Sequence, residues 1–170
     1  GGKNCAIVSR NADIETAALG IVRSAFGLQG QKCSACSRVL VEAPVYDALI
    51  ERVKVLTEKL TIGDPTDRSV YLGPVINKKS YEEYQEFVAD LRQAGRILTG
   101  GKVWTEGELA KGYFCAPTLA TDVPFEHRLW KQEMFLPITT IGKVESLDEA
   151  MEIANSVDYG LTAGFYGTPE

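Results

Sequence analysis

Gln29-Gly30-Gln31-Lys32-Cys33-Ser34-Ala35-Cys36-Ser37-Arg38 joins two unlike patterns. Before it, apolar residues recur at helical spacing through Ile14, Ala17, Ala18, Ile21, Val22 and Ala25. After it comes the β-branched run Val39-Leu40-Val41. A helix, a glycine turn and a buried strand in that order are parts of an α/β layer fold. A cysteine kept for packing sits among large apolar neighbours, whereas Cys33 has Lys32 and Ser34 beside it. A reactive thiol needs an exposed turn, nearby positive charge and backbone N–H donors. In this reading Lys32 and Arg38 supply the charge, the turn supplies the donors, and Cys33 is a nucleophile.

Working outward, residues 5 to 9 read as a short buried strand, and Asn11 or Asp13 caps the helix that Gly27 and Gly30 end. A strand follows near 38 to 42, then a helix opened by Pro44 with the stripe Tyr46, Leu49, Ile50, Val53, Leu56 and Leu60. Gly63-Asp64-Pro65 marks a turn, and a loop runs through Gly73-Pro74-Val75-Ile76. Asn77, or Ser80 with Glu83 as a capping box, opens a third helix with Tyr81, Tyr84, Val88 and Leu91 on one face. Arg96 to Thr99 reads as a strand, 102 to 112 as a surface loop, and 112 to 119 as extended chain leading into a short strand. Pro137 to Val144 is a further strand, and Ser146-Leu147-Asp148-Glu149 a capping box before a helix burying Leu147, Ala150, Ile153 and Ala154. Leu161 to Phe165 is the last strand. The alternation implies an α/β fold: a largely parallel sheet with helices on both faces.

The 170 residues are 45% hydrophobic and 24% charged, enough for one domain with its own core. A net charge of −5 argues against nucleic acid or an anionic membrane surface as partner. Four cysteines, at 5, 33, 36 and 115, are too sparse for a disulfide framework and point to a reducing, cytoplasmic setting. Cys33 and Cys36 have Cys-x-x-Cys spacing, which raises a redox dithiol or half a zinc site. Zinc would need two more ligands, and Cys5, Cys115 and His127 lack ligand spacing, so no metal is expected. A Cys33–His127–Asn155 hydrolase is a third reading, weakened because His127 sits between Glu126 and Arg128 like a surface residue. The chain has no Gly-x-Gly-x-x-Gly after a strand, and 95 to 102 misses P-loop spacing.

Gly30-Gln31-Lys32-Cys33 resembles the nucleophile loop of the aldehyde dehydrogenase family. With Lys before the thiol and Ser-Ala after it, the loop is most similar to the 1-pyrroline-5-carboxylate dehydrogenase branch, which oxidises glutamate-γ-semialdehyde. Gly1-Gly2-Lys3 resembles the end of the family's Glu-Leu-Gly-Gly-Lys segment, whose Glu, the general base, would lie two residues before Gly1. Gln132-Glu133-Met134-Phe135-Leu136-Pro137 resembles the family's Glu-x-Phe-Gly-Pro motif. The resemblance implies that Glu133 holds the nicotinamide-ribose hydroxyls and that Phe135 packs beside the nicotinamide. Leu136 stands where the family usually has Gly, and its Cβ is expected to shift the backbone or narrow the pocket. By the same resemblance Ser34 hydrogen-bonds the substrate carboxylate; its alternative role is to cap the turn. Gly63-Asp64-Pro65, Gly73-Pro74, Asn155 and Tyr159 to Gly164 match further family blocks and read as fold-defining turns.

The matches run the length of the chain in order. They imply a catalytic, thiol-bearing domain over residues 1–170, cut from a longer enzyme without its nucleotide-binding domain. The cofactor implied is NAD or NADP, not bound by this chain alone. The partner implied is a small aldehyde, and the parent is expected to be a homo-oligomer. Two alternatives stand beside this: a dehydrogenase for another semialdehyde such as succinate semialdehyde, and a non-catalytic isolated module.

Overall fold

The computed structural model describes residues 1–169. Strand β1 (Asn4–Val8) leads into helix α1 (Ile14–Phe26), which Asp13 opens by accepting the Thr16 N–H at 2.7 Å. Ala17, Ala18, Ile21, Val22, Ala25 and Phe26 form its buried face. Strand β2 (Cys36–Glu42) begins two residues before the expected start near 38, with Cys36 itself buried. Helix α2 (Ala43–Glu58) starts at once, with Pro44 in its first turn, where a missing N–H costs nothing. Helix α3 (Lys78–Ala94) is capped by Asn77, whose side chain accepts the Ser80 N–H at 2.9 Å; the Ser80–Glu83 box is not the device used.

Strands β3 (Arg96–Thr99) and β4 (Thr118–Thr121) pair antiparallel across a loop that contains one short 3₁₀ turn, Glu108–Lys111. Helix α4 (Arg128–Lys131) is a single turn with no sequence period to betray it. Strand β5 (Ile138–Val144), helix α5 (Leu147–Ala154) and strand β6 (Ala163–Tyr166) complete the fold. Ser146 caps α5 through the Glu149 N–H, but the Glu149 carboxylate reaches back to the Glu145 N–H rather than to Ser146.

The six strands form one sheet in the order β3-β4-β5-β2-β1-β6, parallel throughout except at the β3–β4 edge. Central strands in such a sheet are covered on both faces, which is why β1 and β2 read as near-continuous apolar runs. Alternate residues face opposite ways. Ala6, Val8, Val39 and Val41 pack with the buried faces of α1 and α2. Cys5, Ile7 and Leu40 pack with Tyr84, Phe87, Val88 and Leu91 of α3, Trp130 of α4 and Ala150 of α5. The expected fold class, helices on both faces of a largely parallel sheet, is the one observed.

Candidate active site

The turn after α1 is held in an unusual shape. Leu28, Gln29 and Gly30 take φ of 54°, 58° and 69°, three successive residues in the left-handed region. Only glycine enters that region freely; each L-residue there costs about 1–2 kcal/mol. The surroundings fix it. Gln29 accepts the Gly73 N–H at 3.0 Å and donates to Pro74 O at 3.2 Å, while Gln31 accepts the Ile76 N–H at 2.9 Å. The 73–76 loop is thus clipped to the turn that carries the thiol. At Gly30 a Cβ would run into the Leu136 carbonyl, so glycine is required there twice over.

Beyond the clip, Ala35 N–H closes a turn onto Lys32 O at 3.1 Å, and Cys36 N–H is taken by Ser24 Oγ at 3.2 Å. Among the described residues the Cys33 and Ser34 N–H groups have no hydrogen-bond partner. Of the four cysteines, Cys33 alone is exposed. Burial pushes the Cys5 thiol up to about 11 and those of Cys36 and Cys115 up to about 12, far from any thiolate at neutral pH. The Cys33/Cys36 pair is therefore one open thiol and one sealed one, and both are free. Among the described residues no group of three His, Cys, Asp or Glu is arranged to hold a metal.

Arg38 does not serve Cys33. It lies on β2, buried, with Nε and Nη2 donating to Lys3 O at 2.9 and 2.5 Å, Nη2 also to Ala154 O and Nη1 to Ile153 O at the end of α5. Strand alternation turns it toward α5, where it ties three backbone segments. Lys32 bends over Gly27, where a Cβ would meet its amine. His127, half-buried, caps α4 by accepting the Leu129 N–H at its Nδ1, a structural task that leaves the hydrolase reading without its base.

The opening residues bring the two halves of the site together. Gly2 N–H donates to Glu133 Oε1 at 2.9 Å, and a Cβ on Gly2 would collide with the Cys33 carbonyl. Next to it, buried Asn4 donates through Nδ2 to Cys33 O at 2.7 Å and to Ala35 O at 2.9 Å, and accepts the Thr162 N–H at 3.1 Å. Sequence reasoning missed Asn4: its partners lie on the β2 approach and the β6 approach, and no local pattern joins them. Ser34 is exposed beside Cys33 and borders a cavity of about 120 Å³ shared with Asn4, Ser24 and Thr162.

Glu133 is half-buried and keeps Oε2 outside its bond with Gly2. Phe135 has φ 60° and stands 45% exposed, an apolar ring offered to the outside from a strained backbone. Leu136 lines a small cavity together with Gly2, Lys32, Glu133 and Phe135. Its side chain turns into the core with Met134 and Ile138, and its carbonyl presses on Gly30. Lys3, between Gly2 and Asn4, is 1% exposed, and its Nζ has no hydrogen-bond partner among the described residues. Desolvation, helped by the nearby Arg38 charge, brings its pKa down to about 7.

The chain spans about a third of the length of the curated relatives it matches. It is 44% identical over 162 residues to 1-pyrroline-5-carboxylate dehydrogenase of Geobacillus kaustophilus, covering 95% of this chain and 31% of that protein. To the Bacillus subtilis enzyme of the same name it is 43% identical over the same shares. Among solved structures, Thermus 1-pyrroline-5-carboxylate dehydrogenase with bound NAD superposes with a TM-score of 0.93 at 39% identity, over 100% of this chain and 32% of that one. Lactaldehyde dehydrogenase from Escherichia coli gives 0.92 at 36% identity, over 99% and 35%. A model of the aldehyde dehydrogenase family matches residues 1–170, and the chain belongs to that family.

Proposed function

We propose that residues 1–170 are the thiol-bearing catalytic domain of an NAD(P)-dependent aldehyde dehydrogenase acting on glutamate-γ-semialdehyde. One observation carries the reading: the sole exposed thiol sits on a turn pressed against Gly2, and Gly2 also holds the carboxylate of Glu133. The substrate class is supported by likeness to proteins named 1-pyrroline-5-carboxylate dehydrogenase and by Ser34 beside the thiol.

In this mechanism Cys33, as thiolate, attacks the aldehyde carbon and forms a thiohemiacetal; sulfur is a strong nucleophile even when the thiolate is a minor species. The Cys33 N–H, outside the bonds that close the turn, stabilises the oxyanion, and one such donor is typically worth about 2.7–4 kcal/mol. Ser34 Oγ donates to the substrate's distal carboxylate. Glu133 and Phe135 fit a nicotinamide riboside: a carboxylate with one oxygen outside its Gly2 bond for two hydroxyls, and an exposed ring for the pyridine face. NAD(P)⁺, where held by Glu133 and Phe135, would accept the hydride lost from the thiohemiacetal carbon, leaving Cys33 acylated as a thioester that water then hydrolyses to the acid and free thiol.

The test is steady-state kinetics of the full-length protein with glutamate-γ-semialdehyde and with succinate semialdehyde, each against NAD⁺ and NADP⁺. The reading expects the five-carbon substrate to have the higher kcat/KM and Cys33→Ala to abolish turnover. Retained turnover in Cys33→Ala would refute the nucleophile, and a preference for succinate semialdehyde would refute the substrate.

A further inference from the structure

We propose that Asn4 is a positioning residue for the Cys33 thiol; this rests on reading Cys33 as the nucleophile. Asn4 is 5% exposed, and its amide makes three hydrogen bonds to three separate backbone groups. Two come from Nδ2: one to the carbonyl of Cys33 itself at 2.7 Å, the other to Ala35 O at 2.9 Å. An amide nitrogen has two N–H donors, and both are spent inside one turn, on the nucleophile and on the residue two positions on. The acceptor end holds the Thr162 N–H at 3.1 Å, at the approach to β6.

The geometry has a direction. Asn4 opens β1 and pairs with Cys36 at the start of β2, next to a register irregularity at Asn4/Cys5, so its backbone is tied to the sheet. The turn that carries Cys33 starts from strained residues Leu28 and Gln29 and has no sheet pairing of its own until Cys36. A grip on the Cys33 carbonyl from the rigid strand fixes the peptide plane on one side of the nucleophile and so the direction of its Cα–Cβ bond. Gly2 allows the approach, since any larger residue there would push the same carbonyl away. Sites hold a reacting atom to a fraction of an ångström through such supports, and a displacement of about 1 Å costs on the order of 100-fold in rate.

The variants Asn4→Asp and Asn4→Ser separate positioning from folding. Aspartate keeps the size and the acceptor for Thr162 but, when ionised, offers no donor to Cys33 O or Ala35 O; when protonated it offers one. Two readouts are taken below the thermal midpoint of each variant: iodoacetamide capture at Cys33, followed by mass mapping of its peptide, and kcat with KM for aldehyde oxidation. The expected result is a fall of about tenfold or more in kcat with little change in the KM for NAD⁺, and a matching fall in the capture rate. For Asn4→Asp, the rate relative to the parent should recover as pH is lowered, while Asn4→Ser shows no such recovery. Capture and kcat within about twofold of the parent in both folded variants, with only the thermal midpoint lowered, would overturn the proposal. Should the parent oxidise no aldehyde, the dehydrogenase reading fails on its own, and the capture rates still decide whether Asn4 sets the thiol.

Discussion

Gly2 donates its N–H to Glu133 Oε1 at 2.9 Å while its α-carbon backs onto the carbonyl of Cys33. The two residues lie 131 positions apart in the chain, yet one glycine spaces the Cys33 turn from the Glu133 segment. Gly2→Ala is expected to force the two apart. A Cβ meets the Cys33 carbonyl and the Asn4 side chain together, and overpacking of this kind costs about 1–3 kcal/mol. A urea midpoint unchanged from the parent, with Cys33 capture also unchanged, would show that the contact gives way freely.

The thiols should divide cleanly. With Cys5, Cys36 and Cys115 buried and their thiols pushed up to about 11 or 12, a brief iodoacetamide pulse on the native chain should label Cys33 alone. In denaturant all four positions should label. Native labelling at Cys36 on the same timescale would contradict the sealed position assigned to it. The same reasoning predicts that Cys36→Ala leaves turnover largely intact, in contrast to Cys33→Ala.

Much of this was legible because it is local. The stripe on α1 and the glycine turn before Cys33 follow from spacing alone, and Asp13 and Asn77 each stand as one of two cap candidates between which the structure chooses. What escaped was set by distance in sequence or by strand alternation. Arg38 reads as a charge near the thiol, five residues on, but the pleat of β2 turns it toward α5. The left-handed φ of Phe135 and the burial of Leu136 beside it have no local pattern in the sequence either. Asn4 is an unremarkable polar residue at a strand start until the strand beside it and the approach to β6 are in place.

Lys3 should make stability depend on pH. Its amine is held at about 7 in the folded chain, against 10.5 when solvated, chiefly by desolvation; Arg38 adds to the shift, while Cys36 and Glu133 oppose it. Between those two values the unfolded chain binds more protons than the folded one, so stability from this residue rises with pH from about 7 to about 10 and is lowest below 7. Lys3→Met keeps the length and removes a buried donor that has no partner among the described residues. The variant should be more stable than the parent by about 1–3 kcal/mol near pH 6, with the gap closing toward pH 10. Chemical denaturation at four or five pH values between those limits measures it, and a gap independent of pH would assign the cost to packing rather than to charge.

The clip between the thiol turn and the 73–76 loop yields a paired prediction, because strain and restraint sit on adjacent residues. Leu28 bears a left-handed φ of 54° with its side chain 67% exposed, so it pays strain and gains little packing. Leu28→Gly should therefore be neutral or stabilising by up to about 1 kcal/mol, the relief of strain being partly offset by the entropy of a glycine in the unfolded chain. Gln29 bears the same strain at φ 58° but makes two hydrogen bonds to Gly73 and Pro74. Gln29→Ala leaves the strain and removes the bonds, so it should cost about 1–3 kcal/mol and loosen the turn. Hydrogen exchange at the Gly73 amide reports the loosening directly: it should accelerate in Gln29→Ala and stay at the parent rate in Leu28→Gly. If both variants destabilise alike and neither changes that amide, the left-handed turn is held by packing and the glutamine clip is incidental.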